Sequence, residues 1–221
     1  MTMATPDERV RALVRDNVLK PAEGERLLAT MSPRPARRGW QLALNPFERF
    51  GGGLAAAAGL GVAALSVAIT RLSVRFDGFL DLHATSQAIS FPAALLEQIV
   101  VWPLPALLFW AYARLLRRDV RFIDFLGMTG LARAPLALSG LLLGLLAAPV
   151  PATTPAALPS FTPGLVVALL AGVLCVVWFL TLLYQAFKSA SGLRGAALIA
   201  GFVGLVIASE VVSKVALLRL G

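Results

Sequence analysis

Histidine and cysteine are almost missing from this chain, whose 221 residues hold one of each, His83 and Cys175. A lone cysteine cannot close an intrachain disulfide, and its place in an apolar run makes it a small packing residue. A lone histidine excludes a metal cluster built on several histidines. Charged residues make up only 14%, and residues 134–187 contain no Asp, Glu, Lys, Arg or His across 54 positions. A spanning helix takes about 20 apolar residues, so that stretch suffices for two spans and a turn. Pro149, Pro151, Pro155, Pro159 and Pro163 mark the turn, because proline removes an amide donor and breaks a helix. Motifs of enzyme chemistry are lacking as well: no Walker loop, HExxH, CxxC or nucleophile elbow occurs. Gly51-Gly-Gly53 opens an apolar run without a preceding strand, so it does not read as a phosphate loop. No enzyme and no cofactor are expected.

What is present is apolar. Hydrophobic residues reach 58% and mean hydropathy is +0.79. The expected fold is all-α: a polytopic membrane helix bundle of about five transmembrane helices, with amphipathic interfacial helices and a short N-terminal helical hairpin. The spans fall at about 50–70, 91–113, 134–149, 164–187 and 195–214. Residues 1–39 read as a cytosolic helical hairpin and basic linker, and 40–221 as the transmembrane domain. Thr5-Pro-Asp-Glu8 resembles a capping box with proline at the first helical position. Residues 40–49 read as an interfacial helix anchored by Trp40, Leu44 and Phe47. Residues 72–90 and 120–131 mix aromatic and charged side chains, and both are expected to lie on the membrane surfaces. No cleavable signal peptide is expected, since apolar residues first dominate at Phe50.

A net charge of +8 would suggest nucleic acid in a soluble protein; here the basic residues serve as topology signals and contacts for anionic headgroups. With the N-terminus inside, Arg34, Arg37, Arg38, Arg49, Arg114, Arg117, Arg118, Arg121, Arg133, Lys188 and Arg194 flank the inner face. Arg71, Arg75, Lys214 and Arg219 flank the outer face. The positive-inside rule therefore predicts the N-terminus in the cytoplasm and the C-terminus outside, as an odd number of spans requires. The bilayer is expected to be a bacterial inner membrane.

Two carboxylates interrupt the spans. Glu97 lies roughly 9 Å into the second span at 1.5 Å per residue, and Glu210 sits one turn before Lys214. An ionisable group inside a membrane is costly and points to function. Glu97, Gln98, Glu210, Lys214 and Arg71 therefore form a candidate intramembrane polar site, with Pro103 and Pro105 breaking the helix nearby. The structural alternative pairs Glu210 with Lys214 and Glu97 with Arg71. Trp40, Arg114, Arg117, Arg118 and Arg121 are candidate inner-surface contacts for lipid or an acidic partner. Small residues recur at four-residue spacing in Gly53, Ala57 and Gly61, in Gly140 and Gly144, and at Gly204, where close helix packing is expected. Such stripes serve packing within the bundle or a homo-oligomer seam.

The order of several segments is distinctive. Asn45-Pro-Phe-Glu-Arg-Phe50 precedes the first span, and Ala113-Arg-Leu-Leu-Arg-Arg118 closes the second. Phe122-Ile-Asp-Phe-Leu-Gly-Met-Thr-Gly-Leu-Ala-Arg-Ala-Pro135 enters the third, and Ala190-Ser-Gly-Leu-Arg-Gly-Ala-Ala197 links the last two. Across roughly residues 40–217 this pattern resembles the Yip family of Ypt/Rab-interacting multi-pass membrane proteins, in its bacterial form. The resemblance implies five spans, a cytosolic N-terminus and contact with membrane or cytosolic protein partners without catalysis. The Asp-Leu-Tyr-Gly-Pro signature of eukaryotic members is absent, and the Ala/Leu/Arg-heavy composition fits a GC-rich bacterium. Vesicle traffic with Rab GTPases is therefore not carried over.

Overall fold

A computed structural model describes residues 6–16, 18–31, 39–87, 89–116, 118–146 and 162–220. The proline-rich turn, the basic linker and Arg117 lie outside those residues, as does Thr5 of the expected capping box. The described residues are 80% helical, and the chain divides into two units after Gly39.

The first unit is a helix pair, α1 (Pro6–Arg15) and α2 (Pro21–Met31). Helices of this length are marginal alone in water, and here each covers the other's apolar side. Val14 seats directly against Gly24, where a Cβ would collide, and Val10 is buried.

The second unit begins with α3 (Gly39–Leu44) and a 3-10 turn, Pro46–Glu48. The first span is α4 (Gly52–Ile69), which runs on to Leu72. A short antiparallel hairpin follows, β1 (Val74–Arg75) paired with β2 (His83–Ala84). The second span comprises α5 (Phe91–Val101) and α6 (Pro103–Leu115), and the third α7 (Phe122–Ala132) and α8 (Ala134–Leu146). The fourth is α9 (Pro163–Ser191) and the fifth α10 (Gly195–Leu220). All five are long and apolar enough to cross a membrane.

The breaks have covalent causes. Pro103 and Pro105 carry no amide hydrogen, so the carbonyls of Ile99 and Val101 lose their helical donors. Pro135 does the same to Leu131 at the α7–α8 junction. Gly192 ends α9 in a left-handed conformation (φ 63°) that a side chain would strain, and its N–H returns to the Lys188 carbonyl at 3.1 Å.

Two expectations from the sequence are corrected. The segment 120–131 is not a surface helix: α7 is the first half of the third span, with Phe125, Gly127, Met128, Thr129, Gly130 and Ala132 buried. Asp119, Arg121 and Asp124 suggested an interface, but Asp124 sits at the helix start beside Arg121, and Arg133 at the far end of α7 is enclosed by protein. The third span thus starts at Phe122 rather than 134. The segment 72–90, expected to lie on the outer surface, instead enters the protein, with Val74, Phe76, Gly78 and Phe79 of the hairpin buried. Its β-branched and aromatic residues alternate with polar ones too briefly to sustain a helical face.

The core lies among α6, α7, α9 and α10. Phe109 stacks edge-on against Phe187 at 5.0 Å, and Phe79, from the hairpin, does so against Phe179 at 5.4 Å. Close approach of helix backbones occurs where α4 crosses α7. A Cβ on Gly59 would come within 2.9 Å of the Gly130 backbone, and one on Gly127 within 2.6 Å of Ala56 N.

Candidate functional site

The hairpin between the first and second spans enters the bundle. Irregular backbone away from water needs a partner for each amide, and the spans provide them. Glu97, on the buried face of α5, accepts the Phe76 N–H at 3.2 Å and Arg75 Nε at 2.6 Å. Glu210, on α10, accepts the Leu80 N–H at 2.7 Å. One turn on, Ser213 Oγ accepts the Phe79 N–H at 3.0 Å while donating to the Glu210 carbonyl. Lys214 reaches Asp81 at 2.6 Å and Glu210 at 3.5 Å.

The carbonyl side of the tip is met from the third span. Arg133 is 3% exposed, and its Nη1 donates to the Val101 carbonyl at 2.9 Å and the Phe79 carbonyl at 3.4 Å. The first of these acceptors is one of the two that the proline pair left without a helical donor. The broken second span, the buried arginine and the hairpin are therefore parts of one hydrogen-bonded knot. Gln98 is also buried, and among the described residues neither its amide oxygen nor its amide nitrogen finds a partner; the Ser209 hydroxyl is in the same state.

Measured against the expected site, Glu97, Glu210 and Lys214 converge on the hairpin. Arg71 does not take part: it is exposed, and Arg75 is the partner of Glu97. Sequence reasoning missed Arg75, Asp81, Ser213 and Arg133. Arg133 alone left a signal, a charge just before a proline within an apolar stretch, and it reads equally well as a span boundary.

At the opposite end of the spans lie the basic residues. Arg121 pairs with Asp124 through two hydrogen bonds of 3.0 Å, which with the charge on Asp124 holds its guanidinium above the ordinary arginine range. Arg114 lies 3.5 Å from Asp119, and Arg118 is exposed. Trp40 falls within α3, which Trp178 ties to α9 by donating to the Ala43 carbonyl at 2.8 Å. Gly140 packs on Phe76 and Ile69, and Gly144 on Leu72. Gly53, Ala57, Gly61 and Gly204 turn outward instead, and among the described residues nothing lies within 4 Å of a Cβ built on any of those three glycines.

Against known families, residues 29–212 match the Yip1 domain. The chain belongs to the Yip1 domain family. The match takes in all five spans of this Yip1 domain except the last residues of α10, and the hairpin lies wholly within it. No curated protein and no solved structure among those compared with it matches.

Proposed function

We propose that this Yip1-domain protein is a non-catalytic organiser of partner proteins or lipid at the membrane. The observation that carries this reading is the use made of the ionisable groups inside the spans. Glu97, Glu210 and Arg133 all engage the backbone of the hairpin, so their cost is met by building a fixed shape. Contact with partners and with anionic headgroups then falls to Trp40, Arg114, Arg117, Arg118 and Arg121, and to the helix pair α1–α2. The distribution of Lys and Arg supports a cytoplasmic N-terminus and an external C-terminus in a bacterial inner membrane. Crosslinking in cells followed by affinity purification tests the reading: a few stoichiometric partners are expected, and they are lost when residues 1–39 are deleted. Recovery of the protein alone, or only with itself, would overturn it.

A second reading, a small transporter or channel, is favoured by Gln98, a buried amide with no partner beside Glu97. Proteoliposome flux separates the two. On the organising reading, Glu97→Gln leaves any ion or proton flux at the level of protein-free liposomes. A folded Glu97→Gln protein with altered pH-dependent flux would establish transport.

A further inference from the structure

Three ligand-type side chains meet at the hairpin. Asp77, Asp81 and His83 each offer one ligand atom, and those atoms lie within 4.8 Å of one another. Asp77 Oδ1 is buried and among the described residues accepts no hydrogen bond, yet it stands 3.3 Å from His83 Nδ1. Zinc-type ions hold nitrogen and oxygen at about 2.0–2.2 Å in tetrahedral geometry, which sets two ligand atoms roughly 3.3–3.5 Å apart. The pair is therefore spaced as two ligands of a common ion are. The charges agree, because the one ammonium of Lys214 is shared between Asp81 at 2.6 Å and Glu210 at 3.5 Å, and Asp77 stands beside His83 instead. Arg75 is engaged by Glu97, and Arg133 by backbone carbonyls.

We propose that Asp77, Asp81 and His83 bind one divalent transition-metal ion of the zinc type. An imidazole beside two carboxylates suits zinc and its neighbours better than magnesium or calcium, which prefer all-oxygen shells. The side chains of Asp77, Asp81 and His83 are 32%, 36% and 45% exposed, so water reaches the ion and completes its shell. Asp77 and Asp81 bracket the tip that carries Phe79, and His83 stands on β2 opposite Arg75. The ion would thus staple both strands of the hairpin across its tip. Lys214, at 2.6 Å from Asp81, is the internal competitor for that carboxylate.

The full chain, purified in detergent without a polyhistidine tag and stripped by chelator, is titrated with Zn²⁺ by calorimetry and with Co²⁺ by visible absorption. One ion per chain is expected, with Co²⁺ bands of a four- or five-coordinate site and a thermal midpoint that rises with Zn²⁺. His83→Ala and Asp77→Asn each weaken binding at least about tenfold, since even second-shell changes cost 10–100-fold. Lys214→Gln tightens it by freeing Asp81. His83 is exposed, so His83→Ala keeps the metal-free thermal midpoint of the parent. Non-saturable binding, an affinity unchanged in His83→Ala and Asp77→Asn, or Mg²⁺ binding as tightly as Zn²⁺ would each overturn the proposal. The site does not depend on the organising role, and failure of either leaves the other standing.

Discussion

Glu97 joins two elements through one carboxylate, holding the Phe76 amide with one oxygen and Arg75 with the other. Removing one partner of a buried pair costs about 3–5 kcal/mol, but Arg75 is 41% exposed and recovers water, which lowers the loss. Glu97→Ala is expected to destabilise the detergent-solubilised protein by about 1–3 kcal/mol, chiefly through the orphaned Phe76 N–H. Glu97→Gln costs less, because its amide oxygen can still accept that N–H. Equilibrium denaturation of the two variants checks the order, and a larger loss for Gln than for Ala would contradict it. Arg133 has the opposite task, donating to carbonyls. Arg133→Met leaves Val101 and Phe79 unpaired and is expected to cost about 1–3 kcal/mol. Adding Pro105→Ala to Arg133→Met restores a helical N–H to Val101 and should return part of that loss. A double variant no more stable than Arg133→Met alone would show that the arginine acts by another route.

At the scale of elements, the crossing of α4 and α7 depends on Gly59 and Gly127, where a Cβ would sit 2.9 and 2.6 Å from the nearest atoms. Overpacking there costs about 1–3 kcal/mol or more, so Gly59→Leu is expected to lower the unfolding midpoint sharply. Gly61→Leu, two residues along on the open side, is expected to leave it unchanged; loss of stability there would place an unseen contact on that face. The sequence carried half of this information. Apolar length and flanking charge disclose the spans, because membrane thickness fixes both. A four-residue spacing of small residues discloses close packing but not which face packs: Gly53, Ala57 and Gly61 satisfy the spacing as well as Ala55 and Gly59 do. The hairpin was illegible for another reason. Its pairing is two residues long, and the tip amides of Phe79 and Leu80 are satisfied by residues more than 100 positions away, Ser213 and Glu210, which no local pattern encodes.

For the whole molecule, the hairpin joins the first and last spans to the second and third. Synthesis proceeds from the N-terminus, so the tip is made early and its acceptors on α10 appear last. Until residues 209–214 leave the ribosome and enter the bilayer, the amides of Phe79 and Leu80 lack the partners they have in the finished protein. The first four spans therefore form an assembly with an open polar seam, and the fifth closes it. A chain stopped after residue 194 keeps Glu97 and Arg133 on the hairpin but loses the Glu210 and Ser213 contacts. Such a chain holds unpaired backbone amides away from water, which is costly and favours open, protease-accessible states. Pulse-chase decay of that truncation should be faster than that of the full chain, and equal decay rates would mean that closure by the last span is not the step that commits the fold.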